Sequence, residues 1–171
     1  TSDKIKTLKF VNKMNEFNIN LFKKAIIGLN NNLENIGEIF HSNIYFFNSD
    51  FKIEDKKKGI DHIADEIIKI MPEIKRNYSD ITKLYDEVKH NINEKTENKE
   101  EYVSFMKHIK EFFPSYIVDI DHCAKGIAKL DVKTAKYTEV TDELSDLLLN
   151  VKVILEGFIT ISENYLNDTN T

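Results

Sequence analysis

The strongest pattern in the sequence runs from residue 60 to residue 92, IDHIADEIIKIMPEIKRNYSDITKLYDEVKHNI. A β-branched apolar residue recurs at every seventh position, and a second apolar set follows three or four positions after each. Only an α-helix brings such residues onto one stripe, and a repeat of seven is typical of helices packed lengthwise on each other. The stretch therefore predicts a long bundle helix. The repeat consists of Ile60, Ile67, Ile74, Ile81 and Val88.

Charged residues and histidines on the same stretch form a ladder in steps of three or four positions. Such neighbours on a helix surface stabilise it by about 0.2–0.5 kcal/mol per pair, less at high salt. The ladder indicates one solvated flank of a long helix and is not evidence for a binding site. Its members are His62, Glu66, Lys69, Glu73, Arg76, Asp80, Lys83, Glu87, His90 and Glu94.

Length and composition favour a single helical domain over residues 1–171. The chain is 41% hydrophobic and 31% charged, with only two prolines and five glycines. This profile fits a helical globular protein with a sizeable core, and not a disordered or all-β chain. The excess of lysine, isoleucine and asparagine, with Arg76 as the one arginine, indicates an AT-rich genome.

The charge balance argues against nucleic acid and membrane surfaces as partners. The net charge is −5 and no dense basic block is present, so phosphate neutralisation and docking on anionic lipid are not expected. The most apolar run, residues 147–161, is interrupted by polar side chains and is shorter than the roughly 20 residues that a membrane-spanning helix needs. The first residues follow no signal-peptide pattern, which a trimmed chain would also lack, so the compartment is not predicted.

Apolar spacing along the whole chain predicts four helices, at about 4–47, 57–93, 99–130 and 134–166. Thr134 has the position of an N-cap for the fourth helix. A shift of register in the first helix suggests a bend or a break near Asn18–Asn20. Four long helices with short connections predict an elongated up-down-up-down bundle with coiled-coil character, whose two chain ends fall at the same end of the rod.

Two prolines lie inside the predicted second and third helices, at about the same distance from one end of the rod. Pro72 and Pro114 each remove a backbone hydrogen bond and bend the helix. Two kinks at one level in adjacent antiparallel helices predict a small apolar pocket, although methionine and phenylalanine side chains that simply fill the space are the simpler interpretation. The candidate pocket residues are Leu33, Met71, Phe112, Phe113, Tyr116 and Leu148.

The fourth helix is apolar around more of its circumference than the others. Leu149, Val153 and Ile159 lie off its main apolar stripe. Either this helix is the most enclosed of the four, or one of its faces meets another molecule. These three residues are the candidate interaction face.

Two Glu-x-x-His pairs match the ligand spacing of carboxylate-bridged di-iron bundles. They are Glu38 with His41 and Glu87 with His90. From the predicted helix boundaries the two pairs lie about 20 Å apart along the rod, too far to share a metal. We therefore predict no metal site and no cofactor.

The single cysteine, Cys123, excludes an internal disulfide and follows directly after His122. Adjacent residues on a helix point about 100° apart, so this histidine cannot activate the thiol. The asparagines in Asn77-Tyr78-Ser79 and Asn167-Asp168-Thr169 match the glycosylation pattern, which is common by chance. No catalytic constellation is visible.

The leading hypothesis is a non-catalytic interaction module, which binds a protein partner or self-associates through its helix faces. The alternative is an extracytoplasmic sensory bundle that binds a small apolar ligand at the level of the two prolines. Chain ends at one end of the rod would suit attachment to two membrane spans. An enzyme or a metalloprotein is the third hypothesis and has the least support in the sequence.

Overall fold

The computed structural model describes residues 2–43, 50–91, 99–130 and 132–169, with side chains described for 20–43, 50–90, 100, 102–130 and 132–168. These ranges form four helices and contain no strand. They are α1 (Ser2–Ser42), α2 (Ile53–Asn91), α3 (Lys99–Ala128) and α4 (Ala135–Thr169). The predicted all-α, four-helix bundle is confirmed.

The helix ends differ from the predicted ones by a few residues. α1 ends at Ser42 instead of 47, and residues 44–49 lie outside the described ranges. α2 begins at Ile53, within the segment that we predicted as a loop. Glu54 and Asp55 occupy its first turn, where the helix dipole favours carboxylates. α1 is continuous through Asn18–Asn20, so the predicted break is absent.

The contacts between helices give the direction of each one. α2 and α4 are parallel, since Asp61 meets Thr134 near their starts and Tyr85 meets Phe158 further along. α1 pairs with α2, and α3 with α4, as antiparallel hairpins. The up-down-up-down order therefore holds.

The neighbours around the bundle follow the order α1, α2, α4, α3. In the described residues α2 contacts α1 and α4, but it makes no close backbone contact with α3. The second and third helices, which the sequence led us to expect as neighbours, are therefore not adjacent. The two hairpins pack side by side so that the parallel helices α2 and α4 are in contact, and α1 contacts α3. This packing places α2 and α3 on opposite corners of the bundle.

The core follows the predicted seven-residue repeat. All four isoleucines of the repeat are buried, so the stripe packs inward as predicted. Aromatic rings from every helix meet at another level of the core, where Phe22 stacks with Phe113 at 5.7 Å and Phe158 lies edge-on to Tyr85 at 5.1 Å. The buried repeat consists of Ile60, Ile67, Ile74 and Ile81.

The two prolines lie at different levels of the rod. Pro72 shares a surface pocket with Glu143 of α4, whereas Phe113, next to Pro114, packs its ring on Phe158 of α4 at 5.8 Å. Glu143 and Phe158 are separated by about 20 Å along α4 at the rise of an α-helix. The expectation that Pro72 and Pro114 lie at the same level of the rod is therefore wrong. It depended on the predicted helix ends, whereas the level of each proline depends on how its helix packs against α4.

Two glycines allow side chains of α2 to approach its neighbours closely. A β-carbon at Gly28 of α1 would lie 2.7 Å from the side-chain nitrogen of Asn77. One at Gly157 of α4 would lie 2.8 Å from the hydroxyl oxygen of Tyr85. α2 is thus fitted against glycine on both sides.

Candidate interaction face and pocket

The outer face of α4 carries two large aliphatic side chains in solvent. Leu149 is 58% exposed and Val153 is 57% exposed. They are four residues apart, so they lie on one side of the helix, one turn from each other. Ile159, the third residue of the predicted face, is half-buried and packs against the core. The structure therefore places two of the three predicted residues together on an open surface.

Acidic side chains surround this pair. α4 contains seven carboxylates and two lysines. Both lysines bind acids of neighbouring helices, Lys136 with Asp65 and Lys152 with Asp121 at 3.0 Å. The hydrogen bond to Asp121 raises the pKa of Lys152. The outer surface of α4 around Leu149 and Val153 therefore has more carboxylates than lysines. Its exposed carboxylates include Asp142, Asp146 and Glu156.

The six predicted pocket residues differ in burial. Phe112 is 42% exposed and Tyr116 is half-buried. Phe113, the neighbour of Phe112 in the chain, is fully buried. The remaining three, Leu33, Met71 and Leu148, are buried.

The structure brings only part of this set together. Phe113 and Tyr116 have ring centroids 5.9 Å apart, while the ring of Phe112 lies against His108 at 4.6 Å. Met71 lies in the groove between α2 and α4. A ligand pocket formed by all six residues stays a prediction.

A pocket of about 240 Å³ opens beside Pro72 in the groove between α2 and α4. Of the six predicted pocket residues, Met71 contributes to it, and the other five do not line it. A second pocket of about 350 Å³ lies between α1 and α2 and has a more polar lining, with Glu38, Glu66 and Lys69. The lining of the first pocket is Ile68, Met71, Pro72, Lys75, Val140 and Glu143.

The single cysteine, Cys123, is half-buried on α3. Burial, with a smaller contribution from Asp119, raises the pKa of the Cys123 thiol to about 11. Its sulfur lies 3.9 Å from the Leu33 carbonyl oxygen. A thiol with this pKa is a poor nucleophile at neutral pH. Within the described ranges no three histidine, cysteine or carboxylate side chains are grouped as metal ligands would be.

A polar contact inside the bundle was not predicted from the sequence. The side-chain amide of Asn77 donates a hydrogen bond of 2.8 Å to the side-chain oxygen of Asn32, which is 1% exposed. The amide nitrogen of Asn32 has no partner in the described part of the chain. The sequence contains one indication of this contact. Gly28 lies one turn before Asn32, and a glycine inside a helix can mark a place where a side chain of another helix packs closely.

None of the helices, as far as they are described, is both long and apolar enough to span a bilayer. Comparison with models of protein families, with curated proteins and with solved structures found no match.

Proposed function

We propose that the chain is a non-catalytic helical-bundle module that binds a protein through the outer face of α4. The observation that carries the proposal is the pair Leu149 and Val153, each more than half exposed and one turn apart. Single exposed aliphatic residues are ordinary on protein surfaces. A pair one turn apart on the same helix face presents a continuous apolar spot that a partner helix can cover.

The size of the effect identifies this pair as an anchor and not as a whole interface. Full burial of a leucine or valine side chain contributes roughly 1.5–3 kcal/mol. With more than half of each side chain still exposed, covering both contributes roughly 2–3 kcal/mol. The surrounding carboxylates add selectivity for a partner with basic flanks, because like charges there would be repelled.

The test compares this pair with another exposed aliphatic residue on a different helix. Ile27 of α1 is 62% exposed, so Ile27→Ser is a matched control for Leu149→Ser with Val153→Ser. A photo-crosslinking residue at Asn150, beside the face, is activated in the cells that produce the protein, and sedimentation velocity measures self-association.

We expect a discrete crosslinked species, or a dimer in sedimentation, that disappears in the double variant and persists in Ile27→Ser. The same pattern of species in both variants would show that the face is not the binding surface. All three side chains are more than half exposed. Substitutions at such surface positions usually change stability by no more than about 0.5 kcal/mol, so we expect the variants to fold.

The second candidate function is a sensory bundle that binds a small apolar ligand. The pocket beside Pro72 favours it, since Met71 and Val140 provide an apolar floor of low exposure. Methyl resonances of this floor would shift on ligand binding, and those of Leu149 and Val153 would not.

A further inference from the structure

The exposed pair Leu149 and Val153 lies at the centre of a longer, regular stripe on the outer face of α4. From Leu149 towards the start of the helix, steps of three, four and three residues reach Asp146, Asp142 and Glu139. All three carboxylates are exposed, as is the pair itself. Alternating steps of three and four are the spacing of residues that face a second helix in a coiled coil. These carboxylates are thus aligned with the apolar pair.

The stripe continues in the same steps beyond the pair. From Val153 towards the end of the helix, steps of three, four and three residues reach Glu156, Thr160 and Glu163, which are also exposed. We call these eight positions, from Glu139 to Glu163, the outer stripe. It is about 36 Å long at the rise of an α-helix. One straight or gently wound helix of about 25 residues can therefore contact all of it.

The outer stripe itself is acidic and apolar, and cations lie beside it. None of its eight residues is a lysine or an arginine. Lys152 pairs with a carboxylate of α3, and Lys75 of α2 pairs with a carboxylate of α4 that lies off the stripe. Arg76 and Lys125 are exposed on α2 and α3, the helices that flank α4. A partner that lies along the stripe therefore faces carboxylates at both ends and aliphatic side chains in the middle.

The outer stripe is nearly symmetric about Val151, and this symmetry argues against a second copy of the chain as the partner. Asp146 and Glu156 are each five residues from Val151, and Glu139 and Glu163 are each twelve residues from it. Two antiparallel copies that match their apolar pairs would set Asp146 against Glu156 and Glu139 against Glu163. Two parallel copies would set each carboxylate against itself. Like charges placed in this way repel each other, so both arrangements are unfavourable.

We propose that the outer stripe binds one amphipathic helix of a different protein, with two large aliphatic side chains at its centre and lysine or arginine on both sides of them. This inference rests on the proposed function and specifies the partner. The aliphatic side chains cover Leu149 and Val153, and the basic side chains face the carboxylates. An apolar centre with a charged rim is the usual anatomy of a protein interface.

The probe is a synthetic helix of about 25 residues, with leucine at the two central positions of its own stripe and lysine at the other stripe positions, on a background of alanine and glutamine. The matched probe has glutamate in place of every lysine. Fluorescence anisotropy of each labelled peptide, titrated with the full chain at about 0.15 M salt, gives the affinities. We expect the lysine peptide to bind roughly tenfold or more tightly than the glutamate peptide, and its affinity to fall as salt is added.

Two pairs of substitutions separate the outer stripe from the net charge of the chain. Asp146→Asn with Glu156→Gln removes the two carboxylates next to the apolar pair. Glu73→Gln with Glu111→Gln makes the same change in net charge at exposed positions of α2 and α3. Exposed ion pairs are weak, so we expect the first pair to weaken binding of the lysine peptide by about two- to thirtyfold. The second pair should weaken it by less than about twofold, because salt screens distant charges.

Equal affinities for the two peptides, no binding of the lysine peptide up to about 1 mM, or equal losses in the two pairs of variants would each overturn the proposal. A dimer in sedimentation velocity that Leu149→Ser with Val153→Ser dissociates would also overturn it, since a second copy would then occupy the stripe. The proposed function would survive that result. Undiminished binding of the lysine peptide to Leu149→Ser with Val153→Ser would contradict the proposed function itself, and this inference with it.

Discussion

Replacement of glycine by alanine should have opposite effects at different positions of this bundle. No glycine in the described ranges has a positive φ, so none is required by its backbone conformation. Gly157 is required by the ring of Tyr85, whose Oη and Cε2 atoms would lie 2.8 and 2.9 Å from a new β-carbon. Gly37, five residues before the end of α1, has no atom within 4 Å of that position apart from the nearby backbone of its own helix.

The magnitude follows from two terms. Alanine in a helix interior is favoured over glycine by about 0.8–1.0 kcal/mol, and both positions receive this gain. An extra methyl group in a packed contact costs about 1–3 kcal/mol, and only Gly157 incurs this cost. We therefore expect Gly37→Ala to raise the free energy of unfolding by up to about 1 kcal/mol. The free energy of unfolding of Gly157→Ala should be lower than that of Gly37→Ala by about 1–3 kcal/mol.

Urea unfolding followed by circular dichroism measures both values. Tyr85→Leu combined with Gly157→Ala tests the cause, since a smaller and more flexible side chain at position 85 leaves room for the methyl group. The double variant should be more stable than the sum of the single effects predicts. If Gly157→Ala stabilises the protein as much as Gly37→Ala, the close packing of α2 on α4 is refuted.

Three other predictions concern capping and ionisation. Thr134→Ala should lower the free energy of unfolding, measured in urea, by about 1–2 kcal/mol. The reason is that Thr134 Oγ accepts a hydrogen bond from the Tyr137 backbone N–H at 3.2 Å and donates one to Asp61 at 2.6 Å. An unchanged urea midpoint would contradict the N-cap. Burial raises the pKa of Tyr137, so the folded state keeps a proton that the unfolded state loses near pH 10. Stability should therefore fall as pH rises above about 10, and Tyr137→Phe should flatten this slope in urea midpoints taken at successive pH values. Cys123, with its pKa raised to about 11, should react with a thiol reagent at pH 8 roughly tenfold or more slowly in the native than in the unfolded chain; equal rates would contradict its burial.

The long-range repeat of α2 made the fold class predictable. A strict interval of seven between isoleucines has one solution, a helix with a buried stripe, and the burial of Ile67, Ile74 and Ile81 follows from it. The N-cap at Thr134 was equally predictable, because it depends on the neighbouring backbone alone. Such local features need no knowledge of the partner helices.

Rotation of a helix about its axis was less predictable. From Ile109 of α3, a step of three reaches Phe112 and a step of four reaches Phe113, and both steps are allowed for an apolar stripe. The structure buries Phe113 and leaves Phe112 42% exposed. The choice depends on the room that Phe22 and Phe158 leave for one ring, and sequence spacing does not contain that information. On α4 the same uncertainty separates the exposed Leu149 from the buried Leu148.

The order of helices around the bundle also lay beyond the sequence pattern, and the contact of Asn32 with Asn77 suggests what helps to fix it. A buried amide pair is less favourable than an apolar pair of the same shape, and such pairs select one register by penalising the others. Any slip of α1 along α2 would separate the two amides and bring the side chain of Asn77 away from Gly28, against apolar side chains. The seam between α1 and α2 therefore has one favourable alignment. With that hairpin fixed, the second face of α2, marked by Tyr85 against Gly157, is left for α4, and α3 takes the opposite corner.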